Sequence, residues 1–530
     1  MKRDLVNLAA TTYDVVIIGG GIYGATVAWE AALRGLSVAL IERGDFGGGA
    51  SANSLKTIHG GLRYLQSADF RRMRHSIHER TTLLRIAPYL VHVLPVLVPT
   101  YGHGVKGREA MSVAIRVNDA LSFDRNRGLD AAKHVPNAHM ISRAETLALA
   151  PGINPDGLNG GCVFYDAQAY NTERLTLAFV RTAENIGAAV ANYVEAVGLV
   201  CADGRVRGVR ARDRFTGDVF EIRAQRVINT AGAWTSVVNG WLHADPPPPR
   251  LAKAINVITR PLFKTHAVGV SGAGRLYFVS PWRGHSLIGT DYALHVGDPA
   301  TLRVTERDIN GLLAAVNSAL PAACLTPDDV TFVHRGLLPI DGVDMRGEVK
   351  LSTHPRISDS GRGLISVEGV KYTTARGVAQ QAVDLLFKSL ERSSPPSVSA
   401  VTPLYGGAFA SFDQFLAEQS ARNPLGLRPD TIKRLVLNYG TEYPNVLRYV
   451  ERAELPEALA VLRAEIRYAV KHEMAQTLAD VVLRRTELGS VAPPSESYLR
   501  FAARVMQSEL GWTNERVLRE IDAVQAHYRW

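Results

Sequence analysis

The chain has 530 residues, 46% of them hydrophobic and 21% charged, with no low-complexity tract. That is room for two or three domains with cores of their own, and it excludes a disordered or fibrous protein. Lys and Arg number 60 against 51 Asp and Glu, a net charge of +9; the arginines are scattered rather than gathered in a dense block, which argues against nucleic acid and leaves anionic metabolites or an anionic lipid surface as partners.

The three cysteines, Cys162, Cys201 and Cys324, stand far apart, so the expectation is free, buried thiols in a reducing compartment and no metal site. The opening "MKRDLVNLAATTYD" is too short and polar for a secretory signal, and a cytoplasmic protein is expected. The first element is the strand "YDVVII", followed by glycines and a helix from about Tyr23 to Leu33 that stops at "RG". The strand "SVALIE" follows and ends at Glu42, a compact βαβ beginning. The run "VVIIGGGIYGATVAWEAAL" approaches the length of a membrane span, but its glycine cluster and Glu30 fit a strand-turn-helix better.

Next comes "TIHGGLRYL", Thr57 to Leu65, where a Gly-Gly pair, ordinarily punctuation, separates His59 from Arg63 and Tyr64. The segment "ADFRRMRHSIHERTTLLRIAP" is an amphipathic helix with Met73, Ile77 and Leu84 on its apolar side and its charges expected on a solvated face. Short β-runs separated by "DGR" and "TGD" predict a three-stranded meander feeding the buried strand "RVINTAGAW". "RLYFVSPW" and "HSLIGTDY", joined by Arg283-Gly284, predict a hairpin in a second sheet. "LERSSPPSVSAVTPLYGG" reads as a linker, and from about Ser411 the pattern is helical. The expected division is 13–100, 150–245 and 340–395 in a discontinuous dinucleotide-binding domain, 101–149 and 246–339 in a substrate-binding domain with an antiparallel sheet, 396–408 as linker, and 409–530 as a helical domain.

The strongest motif is "DVVIIGGGIYGATVA", with Gly19, Gly21 and Gly24 in GxGxxG spacing. It follows a strand, opens a helix whose N-terminus suits a pyrophosphate, and has Glu42 at the end of the next strand for the adenine ribose. The fingerprint admits NAD or FAD. Two features favour FAD: the small-residue turn Thr230-Ala231-Gly232 after a buried strand, and a second strand-turn-helix from Gly363 to Leu385. The helix N-terminus near Tyr372-Thr373-Thr374 would direct partial positive charge at the anionic end of a reduced flavin.

Together "GGGIYGA", "IERGDFGGGASANSLKTIHGGLRYL", "RVINTAGAW" and "VEGVKYTTARG" resemble the flavin-dependent glycerol-3-phosphate dehydrogenase family, within the D-amino-acid-oxidase-like flavoproteins. "HEMAQTLADVVLRRTELG" resembles that family's C-terminal domain, so the likeness spans nearly the whole chain. The resemblance implies an α/β plus α architecture: a Rossmann-like FAD domain of the glutathione-reductase/D-amino-acid-oxidase type, an antiparallel-sheet substrate domain and a helical C-terminal domain. It implies FAD along Gly19, Gly21, Gly24 and Glu42, with Ser51, Ser54, Thr57, Gly60, Gly61, Ala231, Gly232, Gly369, Lys371, Tyr372 and Thr373 as further contacts. It implies oxidation of the C2 alcohol of glycerol 3-phosphate, or of a related polyol phosphate or hydroxy acid, by hydride transfer to flavin N5, electrons passing to a quinone or another acceptor, and a cytoplasmic protein that can sit peripherally on the inner face of the cell membrane. Arg63, Tyr64 and Lys371 match the family's substrate-side positions; His59, beside the glycine pair, joins them as a candidate.

The sequence also departs from the family. Asn256 stands where the family has a histidine, Leu338 where it has an arginine, and His354 near a third phosphate-binding arginine. His334, Arg335 and Arg356 are the candidate substitutes, with Asn256 itself a candidate substrate contact. These changes leave two alternatives to a glycerophosphate dehydrogenase: a soluble flavin amine or amino-acid oxidase, and an FAD-binding paralogue without turnover.

Overall fold

The structure is a computed structural model that describes residues 1–104, 107–242, 249–345, 347–451 and 455–530. Its first sheet is built on Thr12–Ile18, whose run of apolar residues is buried because strands flank it on both sides and helices cover it. Val38–Ile41 and Val219–Asn229 pair with it in parallel, Ala189–Ala191 extends the first side and Leu364–Glu368 the second. The helices Ile22–Leu33, Thr172–Asn185 and Ala375–Ser389 pack together, with Trp29 edge-on to Phe179 at 5.3 Å. The meander forms as expected: Val194–Ala202, Arg205–Asp213 and Val219–Asn229 run antiparallel.

The second sheet has ten strands and includes the expected hairpin, Arg275–Trp282 and His285–Val296, turned by Arg283 and Gly284 at positive φ. It also takes strands expected in the dinucleotide-binding domain. Val91–Tyr101 and Leu158–Ala169 pair antiparallel here, and Phe332–Val343 continues past residue 339 to pair with Val349–Leu351. The boundaries at 100, 150 and 340 therefore do not follow the sheets, because strands at these joints pair with distant partners. Thr57–Ile58 joins this sheet's edge through Ala167 and Gln168, so the "TIHGGLRYL" stretch starts on the second sheet and turns at its glycines into the short helix Leu62–Ser67.

Three further expectations need correction. In Phe70–Ile86, Met73, Ile77 and Leu84 are buried as expected, but the charged side is only partly solvated. Glu79 is buried and accepts from Arg376 Nε at 2.8 Å and from Nη2; Arg80 is buried and donates to Tyr165 O at 2.7 Å. The 396–408 segment is packed rather than free, since Ser399 and Leu404 are buried and Ser399 Oγ accepts from Arg376 Nη1 at 3.0 Å. Of the cysteines only Cys162 is buried, and burial pushes its thiol up to about 12; Cys201 and Cys324 are exposed.

The C-terminal part is helical, from Phe412–Arg422 to Asn514–Ala526. It is held to the first sheet by buried charge. Asp45, in the loop after Val38–Ile41, accepts from Arg485 Nη1 and Nη2 at 2.7 Å each and from Arg484 Nε at 2.6 Å.

Candidate active site

The glycine fingerprint makes a close three-way contact. Gly19 has φ +100°, and a Cβ there would lie 2.8 Å from Thr230 O and 2.9 Å from Ala231 Cα; at Gly24 a Cβ would lie 1.8 Å from Gly19 O. The helix can therefore seat on the strand only without side chains at these positions. The Thr230-Ala231-Gly232 turn packs against this point, with Thr230 Oγ1 donating to Ile18 O at 2.8 Å. Glu42 Oε2 accepts from Gly20 N–H and Oε1 from Gly44 N–H, both at 2.7 Å. Burial raises the Glu42 carboxyl above its ordinary value against the pull of these N–H groups, and each oxygen keeps a lone pair for a ribose hydroxyl. Ser51 Oγ accepts from Ile22 N–H at 2.9 Å, which brings Ser51 to the helix N-terminus. A helix N-terminus, a backbone cradle that a Cβ would fill and an acidic group at the ribose position fit the adenosine diphosphate of FAD.

Tyr23 ties this turn to the second one. Its hydroxyl donates to Lys371 O at 2.7 Å and accepts from the N–H groups of Val370 and Lys371 at 3.2 Å, while Gly369 lies so close that a Cβ would sit 1.9 Å from the Tyr23 ring. The "TIHGG" segment meets the same turn, His59 N–H donating to Thr373 Oγ1 at 3.1 Å. Three stretches distant in sequence thus meet at one place.

Beside this meeting point stands a cluster of positive charge. The Arg72 guanidinium lies 4.1 Å from the Tyr64 ring centroid and Lys371 Nζ 4.2 Å from it, and Lys371 Nζ also donates to the Tyr64 hydroxyl. Burial works to raise Tyr64, but Lys371 and then Arg72 bring it below the ordinary phenol value; burial lowers Lys371 in turn, with Arg72 and Arg63 adding to that. Arg63 is exposed and near enough to act electrostatically on both Lys371 and Tyr292. Among the described residues the carboxylate that meets this cluster is Asp69, 3.8 Å from Arg72 Nη1 and 3.4 Å from His354 Nε2.

The glycine pair serves packing as well as turning. A Cβ at Gly60 would lie 2.2 Å from Arg80 Nη1 and 3.1 Å from Asp166 Oδ1, and Gly61 has φ +88° with the Tyr64 ring 2.7 Å from its would-be Cβ. Behind the pair, Asp166 Oδ1 accepts from Gly60 N–H at 2.5 Å and Arg80 Nη1 at 3.2 Å, and Oδ2 lies 3.1 Å from His59 Nδ1.

The other candidates divide. Asn256 is buried and its Oδ1 accepts from Thr290 Oγ1 at 2.6 Å; a Cβ at Gly289 would strike that oxygen, so Gly289 makes the room for Asn256. His334 lies directly across the ladder from Asn256, buried edge-on to Phe332 at 4.9 Å; burial, with Lys56 nearby, holds it well below its ordinary value and therefore neutral. Leu338 is partly buried further along the same strand face, in register with Ala252. Strand alternation turns Arg335 to the opposite face from His334, and after burial its nearest charged influence is Arg303, so it does not join the cleft. Arg356 is neutralised by Asp341 at 2.6 Å and Glu368 at 3.8 Å, and a paired, exposed guanidinium is a poor substrate grip. Tyr372 is a brace, its hydroxyl donating to Thr172 O at 3.0 Å against the neighbouring helix. Thr57 and Ser54 bond locally, Thr57 Oγ1 to Leu55 O at 3.3 Å and Ser54 Oγ from Lys56 N–H at 3.3 Å.

The structure adds residues that sequence reasoning missed: Arg72, Arg80, Asp166 and Lys56. Lys56 is fully buried, donating to Ala52 O at 2.6 Å, Thr172 Oγ1 at 2.9 Å and Glu173 Oε1 at 2.7 Å. A charge inside a β-run, as in "VFYDAQ", is the signal for Asp166, since Asp is seldom buried unless paired.

A sheet with a parallel core, carrying this glycine cradle and beside a second, larger sheet and a cationic cluster, is the arrangement of a flavin-dependent oxidoreductase. Residues 14–385 match the family of FAD dependent oxidoreductases, and residues 397–517 match the C-terminal domain of alpha-glycerophosphate oxidase. Similar proteins include a glycerol-3-phosphate dehydrogenase of Synechocystis sp., 32% identical over 98% of this chain and 97% of that one, and an aerobic glycerol-3-phosphate dehydrogenase of Staphylococcus haemolyticus, 30% identical over 92% and 89%. The glycerol-3-phosphate dehydrogenase of Bacillus halodurans, solved with FAD, superposes with a TM-score of 0.80 at 27% identity, covering 99% of this chain and 96% of that one. The chain belongs to the FAD-dependent oxidoreductases, in the glycerol-3-phosphate dehydrogenase family, and FAD is its cofactor.

Proposed function

We propose that the protein oxidises the secondary alcohol of glycerol 3-phosphate, or of a closely related polyol phosphate or hydroxy acid, to the ketone. FAD, when bound, supplies the oxidant by accepting the hydride at N5. The observation that carries the substrate class is the grouping of Arg72 and Lys371 around Tyr64, with Arg63 near enough to act on Lys371 and Asp69 the carboxylate at the edge. Arg63 suits a two-point grip on a phosphate, Lys371 acts as a point charge, and the Tyr64 hydroxyl adds a donor. Asn256, buried and engaged with Thr290, and Leu338 are neutral where the resemblance expects a histidine and an arginine, which favours a substrate with one anionic end over one with two.

The electrons pass on to a quinone or another acceptor. No helix among the described residues is long and apolar enough to cross a membrane, so contact with a quinone pool would be made from the surface, where the net charge of +9 favours anionic lipid. The test is product analysis with a soluble quinone as acceptor. Glycerol 3-phosphate should yield the ketone in amounts equal to the quinone reduced; a keto acid and ammonia from an amino acid, with no ketone from glycerol 3-phosphate, would refute the assignment.

A further inference from the structure

We propose that Arg72 is the specificity-determining cation of the substrate site: it takes the second negative charge of a phosphate dianion and so selects a phosphorylated alcohol over a hydroxy acid. The inference rests on the alcohol-oxidising function proposed above and deepens it, since that reading admits phosphate and carboxylate substrates alike.

The guanidinium of Arg72 is firmly placed and yet lacks an acceptor. Its backbone is fixed in the first turn of Phe70–Ile86, where Arg72 N–H donates to the capping Asp69 Oδ1 at 3.1 Å. Its side chain is 18% exposed and lies over the Tyr64 ring at 4.1 Å. Asp69 Oδ2 stays 3.8 Å from Nη1, beyond hydrogen-bond reach, and among the described residues no other acceptor meets the guanidinium. A guanidinium stacked on a ring keeps its N–H edge free for a planar or tetrahedral anion. Largely buried donors are nearly always bonded, so an idle fork at this depth marks the place of a ligand.

The charge balance points the same way. Arg63, Arg72 and Lys371 face one carboxylate, Asp69, which leaves two positive charges in excess, and His354 Nε2, 3.4 Å from Asp69 Oδ2, draws on that same carboxylate. Burial lowers Lys371, and Arg72 and Arg63 lower it further, as like charges do at short range. A hydroxy acid brings one negative charge on two oxygens. A phosphate monoester brings about 1.5 to 2 on three, enough to cancel the excess and to reach Arg72 as well as Lys371 and Arg63. The second sheet offers no alternative cation here, because Asn256 is engaged with Thr290 and Leu338 is apolar.

Calorimetric titration of the oxidised holoenzyme with inorganic phosphate and with acetate, in slightly alkaline buffer, tests this without turnover. Wild type should prefer phosphate by roughly 10- to 150-fold, the worth of a further hydrogen bond to a charged group; equal affinities would overturn the proposal. Arg72→Met keeps an apolar stem on the Tyr64 ring and should lose most of that preference, with acetate binding changed less than about threefold. Wild-type phosphate affinity in this variant, or an equal loss for both anions, would overturn it. Asp69→Asn retains a helix cap and removes the competing charge, so phosphate should bind more tightly; unchanged or weaker binding would overturn it. If Arg72→Met does not fold, the wild-type preference and Asp69→Asn decide. Anaerobic flavin reduction separates this proposal from the function it rests on. If glycerol 3-phosphate leaves wild-type flavin oxidised while the Arg72-dependent phosphate preference is found, the oxidation fails and Arg72 stands as the anion selector. If glycerol 3-phosphate reduces the flavin and phosphate affinity is unmoved in Arg72→Met, the oxidation stands and the role of Arg72 is refuted.

Discussion

Replacing Asp45 by asparagine removes one charge from the buried junction between the first sheet and the helical C-terminal part. In the native protein Arg485 donates both terminal nitrogens to Asp45 at 2.7 Å, and Arg484 donates Nε at 2.6 Å. Arg484 retains Asp480 at 2.6 Å in the variant, but Arg485, 1% exposed at its side chain, loses the charge and one acceptor at position 45 and is left with the amide oxygen there, Glu473 O and a carboxylate oxygen at 3.9 Å. Stripping one partner from a buried pair costs about 3 to 5 kcal/mol. At roughly 2.1 cal/mol/K of unfolding entropy per residue this lowers the melting temperature by about 3 to 5 °C if the whole chain melts together, and by more if the helical part melts alone.

The pH dependence follows from the same contacts. Burial alone would raise the Asp45 carboxyl, but Arg485 and Arg484 hold it down to about 2, against an ordinary 3.8. A depressed carboxylate contributes its full stabilisation above the unfolded value and loses it as pH falls through the folded one. The gap between wild type and Asp45→Asn, measured by scanning calorimetry of the holoenzyme, should therefore be flat from neutral pH down to about pH 4 and close only below that. A gap under about 1 °C at neutral pH, or one that closes well above pH 4, would refute the reasoning.

Two further outcomes are expected. Arg63→Ala should leave flavin content unchanged and weaken glycerol 3-phosphate binding by about 1.5 to 3 kcal/mol, the worth of a hydrogen bond to a charged group, or roughly 10- to 150-fold in dissociation constant; loss of flavin would show that Arg63 belongs to the cofactor instead. Gly24→Val should purify without FAD, because a Cβ 1.8 Å from Gly19 O forces the helix off the strand, and the absorbance of the purified protein reads this directly.

What the sequence disclosed and what it concealed divide by distance along the chain. The fingerprint glycines and Glu42 lie within 24 residues of one another, and their constraints are local: a turn, a close approach and a strand end. The meander and the Arg283-Gly284 hairpin were legible for the same reason. The junction of Asp45 with Arg485 spans 440 residues, and the support of His59 by Asp166 spans 107; a single charged residue in a plausible loop or strand reads as solvated until its partner is placed beside it. The helix Phe70–Ile86 shows this directly, since its pattern gave the apolar side correctly while Glu79 and Arg80 turned out to be buried against Arg376 and Asp166. In the same way Pro and Ser at 393–399 suggest a free linker, yet the Ser399 hydroxyl completes the partners of a buried guanidinium.

The central claim is that the cationic cleft beside the flavin oxidises a phosphorylated alcohol. Anaerobic titration of the holoenzyme with glycerol 3-phosphate, followed by the flavin absorbance and set against unphosphorylated glycerol and a panel of amino acids, tests it most directly. The account predicts complete bleaching by glycerol 3-phosphate and none by glycerol at the same concentration. Flavin that stays oxidised with glycerol 3-phosphate and bleaches with an unphosphorylated alcohol or an amino acid would contradict it.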